Sequence, residues 1–327
     1  MRATIRDVAR EAGVSIATVS RVLRDSTAVR PTTRDRVLAA ADELEFVPSA
    51  LGRQLAERRH AANGIVFPDL SGPYYAEVVL GYESVAAELG RSVLILSTRD
   101  RPDAESAVQA MAERCDGLVV LGRTVPDAAV ERLVVRGAHV VMVARPPVGG
   151  ADSVNARNRQ GARALTEHLL DLDVRRLVFV GDPSTSPDVA ERLRGIQEAL
   201  PADADLQLHH VDSLDEECGA HVVGDYLTRA LPDAFVCAND ELALGMLGRL
   251  SAAGVDLPGR VKVAGWDDVM AARYAGLTTV RQPMRELGAT AARLLDELIS
   301  GSRSHPTHEL LPTQLVVRST TLGKVAP

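Results

Sequence analysis

The stretch Thr4-Ile5-Arg6-Asp7-Val8-Ala9-Arg10-Glu11-Ala12-Gly13-Val14-Ser15-Ile16-Ala17-Thr18-Val19-Ser20-Arg21-Val22-Leu23 carries two helical periods broken by one glycine. Ile5, Val8, Ala9 and Ala12 recur at helical spacing, and Thr4 stands before them as an N-cap. Gly13 falls where a tight turn or left-handed cap favours a residue without a Cβ. Ser15 then caps a second helix, with Val19, Val22 and Leu23 inward and Ile16, Ala17, Ser20, Arg21 and Arg24 on the other side. Two short helices joined by such a turn make a helix-turn-helix, whose second helix can enter a major groove. A third helix is expected from Pro31, a favoured first-turn residue, burying Val37, Leu38, Ala41 and Leu44. Periodicity alone also fits an ordinary helical hairpin with solvated arginines.

The charge distribution separates this head from the rest. Residues 1–36 hold eight arginines against four acids, a local balance of +4. The whole chain carries −7, which leaves −11 for the other 291 residues. A basic head on an acidic body keeps nucleic acid in play despite the net charge, because phosphate affinity depends on the local patch. At 327 residues the chain fits two or three domains, and its 46% hydrophobic and 25% charged composition is that of a globular protein with a sizeable core. No apolar run approaches the roughly 20 residues of a membrane span. Charges at Arg2, Arg6 and Asp7 interrupt the place of a signal peptide's apolar stretch. Cys115, Cys218 and Cys237 lie far apart without metal-ligand spacing and read as reduced thiols. The expected location is cytoplasmic, with no membrane association.

The wording of the head closely resembles the DNA-binding domain of the lac repressor/galactose repressor family, and the match runs on through Thr33-Arg34-Asp35-Arg36-Val37 to Phe46-Val47-Pro48-Ser49-Ala50-Leu51. By position, the resemblance implies that Ile16, Ala17 and Arg21 face base edges, while Thr4, Ser15, Thr18, Ser20, Arg24 and Thr33 hold phosphates. Arg21 is the expected direct reader, since a guanidinium bonds both acceptors of a guanine, whereas Ile16 and Ala17 offer only apolar contact. Residues 49–59 correspond to the family's hinge helix, which orders on DNA and wedges a leucine, here Leu55, into the minor groove. A flexible tether is the other reading of a segment too short to be a stable helix alone. Gly52 departs from the usual alanine, at a cost of about 1 kcal/mol of helix propensity.

From Asn63 the pattern changes. Short apolar runs at 64–67, 92–96, 117–121, 139–143, 177–180, 206–211, 234–237 and 261–264 read as buried strands. Amphipathic stretches at 75–89, 103–114, 127–136, 160–171, 188–200, 215–230 and 240–253 read as helices between them. Such alternation means parallel sheets covered on both faces, and eight strands grouped four and four suggest two open sheets rather than one barrel. No Gly-x-Gly-x-x-Gly follows a strand, so a dinucleotide site has no support.

Pro68-Asp69-Leu70-Ser71-Gly72-Pro73-Tyr74-Tyr75, Ala238-Asn239-Asp240-Glu241, Ala264-Gly265-Trp266-Asp267-Asp268 and Leu277-Thr278-Thr279-Val280-Arg281-Gln282-Pro283 resemble the periplasmic-binding-protein-like effector domain of the same family. The fold expected is therefore a small all-α helix-turn-helix head plus an α/β two-lobed body with two parallel sheets. The expected boundaries are 1–48 for the head, 49–61 for the hinge and 62–327 for the body. Lobe 1 takes about 62–156 and 283–312, and lobe 2 about 157–282 and 313–327. The resemblance assigns effector binding to Asp69, Tyr74 or Tyr75, Arg192, Asn239 and Asp267, a set suited to a sugar. Carboxylates and an amide accept and donate to hydroxyls, arginine donates to oxygens, and an aromatic face stacks on C–H groups. Arg194 beside Arg192 leaves open which of the two is a surface charge, and of the adjacent tyrosines one is expected in the core. Arg157 replaces the family's usual aspartate. It either recruits an anionic ligand or turns outward as a solvated charge.

The implied function is a ligand-responsive, sequence-specific DNA-binding regulator, a repressor controlled by a carbohydrate or derivative, acting as a homodimer on double-stranded operator DNA without a metal or cofactor. Val316–Pro327 shows no heptad repeat, which favours the dimer over a tetramer. A solute-binding protein for transport shares the body but not the head. An α/β enzyme finds no Gly-x-Ser-x-Gly elbow, His-Glu-x-x-His or phosphate loop.

Overall fold

The computed structural model describes residues 3–23, 29–46 and 60–322. The chain falls into two compact units, Met1–His60 and Ala61–Pro327. In the head, α1 (Ile5–Glu11), α2 (Ile16–Leu23) and α3 (Pro31–Glu43) close around Val8, Ala9, Ala12, Val19, Val22, Val37, Ala40 and Ala41. Gly13 takes φ +57° between α1 and α2, and the Val14 amide donates to the Ala9 carbonyl at 3.0 Å to close the turn. Leu38 corrects the expected core: it is 44% exposed, and Ala40 is buried instead. Starting at Pro31, the inward stripe runs through 37, 40, 41 and 44, and position 38 sits a full 100° off it. Ile5 and Leu23 are half-buried at the edge of this core.

The body opens with β1 (Ala62–Phe67), α4 (Pro73–Glu88), β2 (Ser92–Ser97), α5 (Ala104–Ala112), β3 (Gly117–Leu121), α6 (Asp127–Val135), β4 (Val140–Val143) and β5 (Asp152–Ala156). It continues through α7 (Asn158–Leu170), β6 (Arg176–Val180), α8 (Pro187–Ala199), β7 (Asp205–His209), α9 (Glu216–Leu227), β8 (Ala234–Cys237), α10 (Asp240–Ala252) and β9 (Lys262–Asp267). The last elements are α11 (Met270–Tyr274), β10 (Thr278–Arg281), α12 (Met284–Ser300), β11 (His308–Leu311), β12 (Gln314–Val316) and α13 (Ser319–Leu322). Two six-stranded sheets result, ordered β11-β5-β4-β3-β1-β2 and β12-β10-β9-β8-β6-β7. Among the described residues all pairings are parallel except β10 with β12. The chain passes between the sheets after β5, after β10 and after β11, so three strands of polypeptide join the lobes.

Alternation along the first sheet explains its burial on both faces. Ile65, Phe67, Val119, Leu121, Val141 and Val143 point to the face covered by α4 and α12. Val66, Leu118, Val120, Val140 and Met142 point to the face covered by α5 and α6. Among the described residues the lobes hold twelve strands where eight apolar runs were expected. The four without a run are β5, β10, β11 and β12, whose sequences mix polar residues into the strand. β5 buries Asp152 because Arg303 chelates its carboxylate and the Thr307 amide donates to it at 2.9 Å.

Candidate functional site

In the head, local hydrogen bonds hold the first turns of α1 and α2. Thr4 donates its amide to the Asp7 carboxylate at 3.0 Å and its hydroxyl to the same oxygen at 2.7 Å, fixing the start of α1. These bonds from Thr4, with the nearby Arg10 guanidinium, hold Asp7 below the ordinary carboxylate range. At α2 the Ser15 hydroxyl accepts from the Thr18 amide at 3.2 Å and lies 2.9 Å from the Thr18 hydroxyl, so both side chains are held at the helix N-terminus. Ile16 is 45% exposed, a large apolar side chain on a surface otherwise rich in arginine, and Ala17 and Arg21 lie exposed on the same helix. Ser20 and Thr33 are half-buried. Arg24 and Leu55 lie outside the described residues, as does the whole hinge segment 49–59.

In the body, the C-terminal ends of the central strands of both sheets border a cavity of about 610 Å³. Asp69, Tyr74, Tyr75, Arg192, Asn239 and Asp267 all line it. Asp69 follows β1, and its carboxylate accepts from the Ser71 amide at 2.8 Å and hydroxyl at 2.6 Å, with Arg99 at 3.6 Å. Both tyrosines reach the cavity, which corrects the expectation that one is core. Pro73 starts α4, so 74 and 75 occupy its first turn, where each packs partly on the lobe 1 core and partly on the cleft. Their rings meet edge to face at 5.3 Å, and Tyr75 meets Phe67 likewise at 5.5 Å. Burial, with Asp188 and Asp267 nearby, holds the Tyr74 phenol well above its usual pKa, so it stays a neutral donor.

The opposite wall belongs to lobe 2. Arg192 is buried on α8, donating Nε to Asn158 at 3.0 Å and Nη1 to the Ala238 carbonyl at 2.5 Å, with its guanidinium 4.7 Å over the Trp266 ring. Arg194 pairs with Glu191 on the surface, so the cleft takes Arg192 of the two. Asn239 caps α10, accepting from the Leu242 amide at 3.1 Å and donating to the Leu214 carbonyl at 2.8 Å. Its amide retains a second donor and a second lone pair for a ligand. Asp267 ends β9 with φ +112°, a region that costs a non-glycine residue about 1–3 kcal/mol. Neighbouring Asp268 anchors the turn through Arg281 at 2.7 Å and Arg318 at 2.6 Å. Gln282 donates to Asp267 at 2.6 Å.

The cleft is short of positive charge. Burial lifts Asp267 to about 6 even though Arg192 and Gln282 pull it down, and burial also raises Asp188. Glu241 rises to about 7 by burial and the nearby Asp267 carboxylate. Asp240 rises to about 8 for the same two reasons, but its oxygens are taken by the Val269 amide and the Thr279 hydroxyl, which tie α10 to the sheet. Asp188, Glu241, Gln282, Arg99 and Arg123 line the cavity without having been singled out in the sequence. The first two occupy first turns of helices, where acids ordinarily answer the helix dipole. Arg157 does not enter this cavity. It is exposed, donates Nε to the Leu310 carbonyl at 3.2 Å and borders a separate hollow of about 980 Å³, so it cannot bring an anion to the cleft. Among the described residues no group of three or more His, Cys, Asp or Glu is placed to hold a metal, and no helix is long and apolar enough to cross a membrane.

A model described as bacterial regulatory proteins, lacI family, matches residues 4–49, and one described as a periplasmic binding protein-like domain matches residues 166–321. The HTH-type transcriptional regulator GalR of Salmonella typhimurium (strain SL1344) is 34% identical over 322 residues, which is 95% of this chain and 94% of that protein. The chain belongs to the lacI family. It is a DNA-binding transcriptional regulator with a helix-turn-helix head and a two-lobed, mostly parallel α/β body. A lac repressor dimer solved bound to operator and the anti-inducer ONPF aligns with this lacI-family chain at TM-score 0.85 and 27% identity, covering 98% of this chain and 100% of that one. The transcriptional regulator CelR in complex with cellobiose aligns at TM-score 0.71 and 29% identity, again over 98% and 100%.

Proposed function

We propose that this lacI-family regulator is a repressor that binds a near-palindromic operator as a homodimer and changes its DNA affinity when a carbohydrate or carbohydrate derivative enters the cleft. The observation that carries the ligand reading is the convergence of Asp69, Tyr74, Tyr75, Arg192, Asn239 and Asp267 on one 610 Å³ cavity between the lobes. That volume suits a mono- or disaccharide, and the set pairs aromatic faces with acceptors and a guanidinium. The solved relatives in complex with cellobiose and with ONPF support the ligand class. Ile16, Ala17 and Arg21 read bases, and Thr4, Ser15, Thr18, Ser20, Arg24 and Thr33 hold phosphates, with Leu55 in the minor groove. One head makes few base contacts, so two related by a two-fold axis are needed for a specific site.

The body binds its ligand without turning it over. The test joins two measurements on the full chain. DNase protection should show two inverted half-sites, and a thermal-shift screen of mono- and disaccharides should raise the melting temperature of the wild type but not of Asp267→Ala. A single asymmetric footprint defeats the dimer reading. A sugar that shifts both proteins equally defeats the cleft.

A further inference from the structure

The balance of donors and acceptors in the cleft narrows the ligand class, on the reading that the cavity takes a carbohydrate. Glu241 is 9% exposed, lines the cavity and leaves Oε2 without a partner among the described residues. Gln282 is 3% exposed, and the bond from its Nε2 to Asp267 fixes the amide so that the carbonyl Oε1 is also unpartnered. The Gln282 oxygen is an acceptor, and the Glu241 oxygen is one when its carboxyl is ionised, the form that an adjacent cation favours. Asp188 and Asp267 line the same space and share one guanidinium, that of Arg192, which donates Nε to Asn158 and Nη1 to the Ala238 carbonyl and pairs with Asp188 only at 3.9 Å through Nη2. A ligand that satisfies this wall must supply hydrogen-bond donors and positive charge. An ammonium group carries three donors and no acceptor, so it answers both needs at once.

We propose that the effector is an amino sugar, a polyhydroxylated ring whose protonated amine sits against Glu241 and Gln282, with Asp188 and Asp267 completing its negative surroundings. Burial raises the pKa of all three acids, and a neighbouring carboxylate adds to the rise of each, so a cation placed beside them favours their charged forms. A phosphate or carboxylate on the ligand meets those acids as like charges and is rejected. A bare divalent ion is a poor substitute, because no cluster of three or more ligating side chains is placed for it among the described residues.

Calorimetry on the full-length protein at pH 7 tests the idea with D-glucosamine, D-galactosamine and D-mannosamine, each beside its parent hexose, its N-acetyl derivative and the 6-phosphate of that hexose. At least one amine should bind tenfold or more tightly than its parent and N-acetyl partners, and the phosphates should be weakest. Glu241→Gln should cut that preference to less than threefold while the ligand-free protein melts as one cooperative transition. Asp188→Asn, on a different helix, should reduce it in the same direction. If the parent hexoses bind as tightly as the amines, or more so, the amine is not recognised and the carbohydrate reading stands alone. If no member of any set binds, both fall.

Discussion

Glu241 shows how a single side chain in the cleft bears on stability as well as recognition. Its pKa is raised from 4.5 to about 7, by burial first and then by Asp267, with Glu216 adding to the rise and its own backbone amide opposing it. The folded protein therefore holds a proton that the unfolded chain releases between those two values. Stability falls as pH rises through that window, and the loss is complete above the folded pKa. Glu241→Gln removes the titration, so the variant should gain about 1–3 kcal/mol relative to wild type on going from pH 5 to pH 8. Scanning calorimetry at the two pH values reads this, and an offset equal at both means Glu241 titrates as an ordinary carboxylate. In the head, Arg21→Ala should weaken operator binding by about 1–3 kcal/mol per half-site and relax preference at one base position. Thr18→Ala should weaken all sequences alike, and anisotropy against operator and scrambled duplexes separates the two behaviours. At this scale the sequence was partly legible. Asp69, Asn239 and Asp267 were assigned through the family resemblance, and the structure places each at or just beyond the C-terminal end of a strand. Arg192 became separable from Arg194 only when Trp266 and Asn158 were seen around it, since both arginines stand on one helix and periodicity ranks neither. Asp188 and Glu241 stayed hidden because an acid in a first turn already has an adequate reason to be there.

Helix pairing depends on backbones that approach without side chains between them. α4 and α12 cross where Gly81 meets Arg285 and Gly288 meets Val78, and a Cβ on either glycine would overlap the opposing carbonyl oxygen. Backbone cannot swing aside as a side chain can, so the helices must separate. Gly288→Ala should lower the denaturant midpoint of the body by an amount equivalent to about 1–3 kcal/mol. Gly224→Ala in α9, where a Cβ would meet nothing within 4 Å, should leave it unchanged or raise it slightly. If the two substitutions behave alike, the crossing tolerates a methyl and the two backbones are not in close contact in solution. The apolar runs announced eight strands, because a buried parallel strand needs uninterrupted apolar residues on both faces. They were silent on β5, whose Asp152 is buried with Arg303, and on the edge strands β11 and β12, which face solvent on one side. The third helix of the head was placed at its proline, yet Leu38 was assigned inward on hydrophobicity when its phase on the helix points out.

The two sheets and the separate head were legible as wholes, since a change from helical to alternating strand-and-helix pattern at Asn63 survives any error in single residues. Coupling between them was not, because it depends on energies of alternative lobe arrangements rather than on a pattern along the chain. Three crossings join the lobes, and the Arg123 guanidinium of lobe 1 donates to the Ser184 carbonyl of lobe 2 at 2.8 Å beside the cavity. A ligand that touches Tyr74 and Tyr75 on one wall and Arg192 and Asp267 on the other has contacts that change with the separation of those walls. It therefore favours one arrangement by the difference in those contacts, and it can shift DNA affinity by no more than that difference. Moving an equilibrium from 1:99 to 99:1 takes about 5.5 kcal/mol of differential binding, so loss of a single strong contact should blunt the response. Asp267→Ala should abolish the effect of ligand on operator binding while leaving ligand-free operator affinity within about threefold of wild type, a change of less than 1 kcal/mol. Leu55→Ala should do the reverse, weakening operator binding with ligand affinity of the free protein unchanged. Calorimetry with the ligand and anisotropy with labelled operator measure the four quantities. If Asp267→Ala lowers operator affinity as much as Leu55→Ala does, Asp267 sets the resting arrangement of the lobes and is not the ligand's handle on it.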